Sequence, residues 1–276
     1  MRSLYLVDEI GATFEFNYKS GVLISDLAGL GIERTNTYIK YEETYEQVSK
    51  DNPITQMTAT LTFLNGYEGY KGFISYLRKS TGKTRLFYKA DTTKYAFVSI
   101  VSLTKTELSF GVLQSSITID KLSMWLDKKT YVIEVNVNDY SKVFPYKYPF
   151  VYSLSYNGEV TVTNSGCTKA PIRIEIYGKV VNPEVHIAKD GLIISSMRLF
   201  VTSNNSNSII VVEAESTSQE MSLNNNGVIT DIYKNQDFEC ENFLFLDVGT
   251  YQIRFNPGVS DHTTCKFTFL EQYEGN

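Results

Sequence analysis

The residues best suited to chemistry are few and scattered. The chain holds two histidines and three cysteines. His262 and Cys265 stand three apart, with Cys240 upstream. A zinc site normally draws its ligands from close pairs on two separate knuckles, and this sequence offers one mixed pair, so no metal site is expected. His186, in PEVHIA, reads as part of a strand face rather than as a catalytic base. No G-x-S-x-G elbow is present to anchor a Ser-His-Asp arrangement. Cys167, in NSGCTKAP, lacks the following helix start that would activate a thiol. An odd number of widely spaced cysteines is not a disulfide framework, and free, mostly buried thiols are expected.

Phosphate and sugar chemistry fare no better. STGKTR, residues 80–85, echoes the end of a phosphate-binding loop, but Leu77 stands where that loop needs glycine. The string also follows a helical pattern instead of opening one. Gly29-Leu30-Gly31 lacks both a third glycine and a helix. Paired acids occur at Asp8-Glu9 and Glu42-Glu43. Neighbouring residues of a strand point to opposite faces, so such pairs do not form a two-carboxylate site, and a solvated turn or hairpin edge suits both. No catalytic residue, cofactor site or enzymatic activity is expected.

The elements that carry these residues are mostly strands. ATFEFN, TATLTFL, YAFVSIVSL, SSITI, YVIEV, EVTVT, IRIEIYG, SIIVVEA and KFTFL are rich in β-branched and aromatic residues, often with period two. Asn157-Gly158 and Asn224–Gly227 supply hairpin turns between them. One stretch differs: NGYEGYKGFISYLRKSTG places Tyr67, Tyr70, Phe73, Ile74 and Leu77 at helical spacing. Asn65 is the expected N-cap, Arg78 and Lys79 fall in the last turn, and Gly82 can end it. The fold class is mainly β, all-β apart from this one amphipathic helix.

The 276 residues, at 31.4 kDa, approach the limit of a single hydrophobic core and favour two domains, 1–140 and 141–276. The boundary falls in a polar stretch around Asn136–Ser141, ahead of the aromatic run FPYKYPFVY. The second half reads as a β-sandwich with Ser- and Asn-rich loops. Net charge is −5, and no basic run exceeds Lys128-Lys129, which argues against a nucleic-acid-binding surface. The most apolar stretch, GVLISDLAGLGI, is interrupted by Asp26 and too short to span a bilayer, and no signal peptide is read, so a soluble protein made in the cytoplasm is expected. Between Arg34 and Leu64, two strand-like arms flank Lys50-Asp51-Asn52-Pro53, with Tyr38, Tyr41 and Tyr45 on the first arm. Such a half-solvated hairpin is suited to docking, and those tyrosines are the candidate interface residues.

Several of these segments together resemble the siphophage distal tail protein family, the hub proteins of phage tails and baseplates. KTELSFGVLQSSITIDKLSMW, ending on the lone Trp125, resembles the close of that family's N-terminal domain. LVDEIGATFEF, LAGLGIERT, TATLTFLNGYEGYKGFISYL and RLFYKADTTKYAFVSIVSL resemble its opening hairpin, GLG segment, strand-then-helix element and following hairpin. In the second half, Asn164, Gly166, Ala170-Pro171, Gly178 and Asn182-Pro183 keep the spacing of the C-terminal domain's start, and Tyr233, Phe243, Gly249, Tyr251 and Phe255 keep its late pattern.

The resemblance implies a structural virion protein at the distal end of the phage tail, made in the bacterial host cytoplasm. It implies a homo-hexameric ring built by a sandwich- or barrel-like N-terminal domain with a hairpin belt near residues 34–64. A C-terminal galectin-like β-sandwich would point outward. The implied partners are the major tail tube protein, a tail-tip or tail-associated protein, and receptor-binding or baseplate proteins, with DNA as passing cargo and no membrane insertion. Trp125 is expected to pack near the domain junction.

The alternative is a carbohydrate-binding β-sandwich for host-surface adhesion, suggested by the Asn-rich loops and 20 tyrosines. Sugar rings stack best on exposed tryptophan, and the second half has none. Around Asn182-Pro183, Val180 and Glu184 also stand where galectins carry His and Arg.

Overall fold

The computed structural model describes residues 3–80, 82–135, 158–259 and 262–275. The chain divides into two compact units, Met1–Asp127 with Gln272–Asn276, and Lys128–Glu271. The boundary expected at 140/141, the run FPYKYPFVY and Asn157 of the expected turn all lie outside the described residues.

The first unit comprises β1 (Ser3–Val7), β2 (Thr13–Glu15), β3 (Val22–Ala28), β4 (Thr35–Tyr41), β5 (Thr44–Asp51), β6 (Thr55–Phe63), α1 (Gly66–Lys79), β7 (Thr84–Lys89), β8 (Thr93–Leu103) and β9 (Leu113–Lys121). It also holds the first residues of β10 (Trp125–Val135). Seven of these strands form an antiparallel sheet in the order β2-β1-β7-β8-β9-β6-β3. Period-two patterning decides which face is buried. In β6 the side chains of Met57, Ala59, Leu61 and Phe63 point inward and the threonines between them point out. β9 follows the same rule and pairs with β6 along its whole length, from Thr55↔Lys121 to Phe63↔Leu113.

Helix α1 closes this core. Its buried Phe73 lies 4.8 Å from the Phe14 ring on β2, 6.0 Å from Phe16 and 6.2 Å from Phe63 on β6. β2 stands at one end of the strand order and β6 near the other, so the sheet must curl for both to reach one side chain. Asn65 occupies the N-cap position but makes no side-chain cap; its carbonyl accepts from the Glu68 N–H at 3.2 Å instead. Gly66 has φ 54°, the left-handed backbone that favours glycine, and a Cβ there would displace the end of the Leu108 side chain, which lies 2.7 Å away. Trp125 is fully buried in the same core and its ring N–H donates to the Leu30 carbonyl at 3.3 Å.

The second unit holds the rest of β10 and then β11 (Gly158–Asn164), β12 (Ala170–Gly178), β13 (Val180–Val181), β14 (Glu184–Lys189), β15 (Leu192–Arg198), β16 (Thr202–Ser203), β17 (Ile209–Glu213), β18 (Glu220–Asn225), β19 (Val228–Asp231), β20 (Phe245–Leu246), β21 (Gly249–Asn256) and most of β22 (Thr263–Tyr273). One sheet runs β19-β18-β17-β12-β22-β10 and the other β11-β21-β14-β15. Ile172, Ile174 and Ile176 of the first and Val185, Ile187, Ile253 and Phe255 of the second share one core, as expected of a sandwich. On the outward positions of β12, Arg173 bonds Glu175 and Glu213 at 3.2 Å each, and Lys266 bonds Glu175 at 2.6 Å. The expected turn at Asn226-Gly227 is present, with φ 53° and 87°.

Two substitutions test the helix–sheet core. Phe73→Ala should destabilise the chain by about 3–5 kcal/mol, read as a shifted denaturant midpoint, because a fully buried ring leaves a cavity. Burial, with Asp8 adding to it, pushes the Tyr76 hydroxyl up to about 12 from 10.0. The folded chain therefore keeps this group neutral where the unfolded chain ionises it. Stability is full below pH 10 and falls as pH climbs from there towards 12. Tyr76→Phe should flatten that alkaline loss in melts recorded across the window.

Candidate assembly interface

The residues that sequence reasoning examined for catalysis are dispersed. Cys265 lies in the sandwich core, where burial pushes its thiol well above the usual range. Cys240 is half-buried, and Cys167 is exposed, contrary to the expectation of mostly buried thiols. Its loop, between β11 and β12, lies at the surface and leaves it outside either core. His186 sits on β14, 3.5 Å from the Glu184 carboxylate. Among the described residues no group of three or more His, Cys, Asp or Glu is placed to hold a metal.

What stands out is a surface. β4 and β5 form a two-stranded sheet of their own, separate from the seven-stranded one. Two strands alone are marginally stable in water. The turn falls at Glu42-Glu43, where Glu42 has φ 51°, and Thr44 Oγ1 donates to the Tyr41 carbonyl at 3.0 Å. By composition the hairpin is expected to centre on Lys50-Asp51-Asn52-Pro53 and to extend to residue 64. Lys50 and Asp51 instead end β5, and Thr55–Phe63 belongs to the main sheet. Inward-facing Met57, Leu61 and Phe63 give that segment more apolar surface to bury against β3 and β9 than the arm could offer.

Tyr38, Tyr41 and Tyr45 are 54%, 55% and 69% exposed. Tyr38 pairs with Gln47, and Lys40 with Tyr45, so Tyr38 and Tyr45 are diagonal neighbours on one face. Tyr41 falls on the other face with Ile39. The three tyrosines expected to act as one set are thus divided between the two faces of the hairpin. At the base, Glu274 pairs with Arg34, and lies 3.8 Å from the Lys50 Nζ.

Residues 3–122 match the family model described as the distal tail protein, N-terminal domain. Among solved structures, the whole chain superposes on a chain of the phage P2 baseplate in its activated conformation with calcium, with TM-score 0.65, 13% identity and 100% of each chain covered. Over residues 3–122 the chain is similar to the distal tail protein family, and over its whole length it shares the fold of that baseplate chain. A second structure, the SPP1 Dit protein, described as a paradigm of the hub adsorption apparatus in phages infecting Gram-positive bacteria, aligns with TM-score 0.62 and 9% identity over 96% of this chain and 98% of that one. No curated protein sequence matches the chain.

In the isolated chain, amide hydrogens of Thr35–Asp51 should exchange far faster than those of Thr55–Phe63, since only the latter sit between two paired strands and over the core. Hydrogen-exchange mass spectrometry resolves the two segments.

Proposed function

We propose that this chain is a distal tail protein that forms a hexameric ring, joins the distal tail tube to the tail-tip or baseplate proteins and leaves a channel for DNA. The N-terminal unit builds the ring. The C-terminal sandwich, galectin-like in the family resemblance, faces outward towards baseplate or receptor-binding proteins. The role is structural and needs no catalysis or cofactor.

The observation that supports the reading is the β4–β5 arm. It is a two-stranded sheet that stands apart from the main sheet, exposing Tyr38, Tyr41 and Tyr45 together with Ile39 and Val48. Aromatic side chains on an element with little stability of its own gain most when a partner covers them. When each copy offers an arm and receives the next copy's arm, the contact is head-to-tail and closes into a ring. The net charge of −5 suits a conduit through which DNA must slide without sticking.

Native mass measurement with negative-stain imaging tests this. The unsubstituted chain should give sixfold rings with a central hole. Replacing Tyr38, Tyr41 and Tyr45 together with Ser should yield smaller species that keep the β-rich circular dichroism of the unsubstituted chain, because none of the three is buried. Loss of an interface hot spot costs about 2 kcal/mol or more, roughly thirtyfold in affinity. Intact rings from the triple variant would refute the role given to the arm.

A further inference from the structure

The row of inward side chains on β9 ends in a lysine. Leu113, Ser115, Ile117 and Ile119 precede it, and Lys121 is only 7% exposed. Its partners in register are Val98 on β8 and Thr55 on β6, both buried. Residues directly opposite on one face hold their Cβ atoms about 4.5–5.5 Å apart. The Lys121 Nζ lies 5.9 Å from the centre of the Trp125 ring. The loop after β3 packs against this end of the core. A Cβ at Gly29 would meet the Gln56 carbonyl at 2.3 Å, and the Leu30 carbonyl accepts from the Trp125 ring N–H.

Two polar groups at this end are left unsatisfied. The Lys121 ammonium faces the Trp125 ring but is bonded to no acceptor among the described residues. Burial pulls its pKa down, and Glu33, an exposed residue of the same loop, raises it from beyond ion-pair distance. The Thr55 hydroxyl is buried and has no hydrogen-bond partner. A buried charge without a counter-ion and a buried hydroxyl without a partner each destabilise a fold. A cation–π contact offsets the first only in part. Both groups project from adjacent strands to the same face of one sheet.

We propose that Lys121 and Thr55 form a binding site for one carboxylate supplied from outside this chain. The donors define the ligand. An ammonium has N–H groups to give and no lone pair to offer, and the threonine hydroxyl adds another donor, so the occupant is an acceptor. The uncompensated positive charge makes it an anion. One cation among Val98, Ile119 and Met57 matches one negative charge, whereas a phosphodiester backbone would call for several cations. A carboxylate brings two acceptor oxygens, one for each donor. A small organic acid and an acidic side chain of another protein share this chemistry. The site stands whether or not copies of the chain close into a ring.

Trp125, the lone tryptophan, reports on the site because its ring lies beside the Lys121 ammonium. The purified chain is melted by tryptophan fluorescence in sodium chloride, then with sodium acetate replacing chloride at constant ionic strength. The midpoint should rise by about 2–4 °C at about 100 mM acetate. Lys121→Met should lose that rise and, in chloride alone, melt above the unsubstituted chain, because it removes the unpaired charge. No rise, an equal rise in Lys121→Met, or a lower melting point for that variant in chloride overturns the proposal. Thr55→Val decides if the lysine variant does not fold: it should lose at least about half of the acetate response, and a full response overturns the two-donor site. Carbodiimide coupling of the purified chain, and of phage particles that contain it, then distinguishes the sources by peptide mapping. An amide from Lys121 to an acid of another chain supports the site and makes a protein side chain its occupant. An uncoupled Lys121 that still answers acetate supports it with a free organic acid as occupant. An amide to Glu33 of the same chain means that the site fills itself, and overturns the inference.

Discussion

Phe73 governs the N-terminal unit. Its ring meets Phe14 and Phe16 from the start of the chain and Phe63 from the far side of the sheet, so a single side chain holds two distant strands around one core. The dependence is mutual. Gly69 and Gly72 weaken the intrinsic helicity of α1, and a helix of 14 residues is marginal alone, so the sheet holds the helix as much as the helix curls the sheet. Without that plug, seven strands would form a flatter sheet with one apolar face in water.

The curl also settles where the loops emerge. With β3, β6 and β9 in fixed register, everything leaving the Thr55 end points one way and everything leaving the Phe63 end points the other. The chain places an aromatic-bearing surface at each end, the β4–β5 arm at one and, at the other, a turn in which Phe110 is fully exposed at φ 50°. Both are unfavourable in isolation, one through weak strand pairing and the other through backbone strain and an exposed ring. A protein selected only to fold would shed them. A chain that works within an assembly, as proposed above, can retain them, because a partner would supply the missing contacts.

Much of this architecture is legible in the sequence because strands buried on one face announce themselves by alternation. β6, β9, β12 and β22 were readable for that reason, and so was α1 from the spacing of Tyr67, Tyr70, Phe73 and Leu77. The arm's turn was not. Lys50-Asp51-Asn52-Pro53 has the composition of a turn, whereas Glu42-Glu43 has none of the residues that favour positive φ, yet Glu42 adopts it. Misplacing the turn also hid the division of the tyrosines, although Tyr38 and Tyr41, three apart on a strand, could only face opposite ways. The exposure of Phe110 was invisible, because an aromatic residue within a patterned segment normally signals core. Asn65 failed as a side-chain cap since a backbone bond from Glu68 already occupies that role.

The arm raises a problem that its own composition answers. A free two-stranded sheet has two open edges, and open edges invite pairing with any passing strand. Lys40, Glu42, Glu43, Glu46, Lys50 and Asp51 interleave with the aromatics along the hairpin, and the register shifts between Thr37 and Tyr38. Charges and a bulge both disfavour indiscriminate edge pairing, and the acidic excess repels a second arm approaching in the same sense. Side-chain contact remains available where edge pairing is discouraged, with Tyr38 and Tyr45 on one face and Tyr41 on the other. An acceptor must therefore match the arm in both shape and charge, which confines its binding to a built site rather than to another arm.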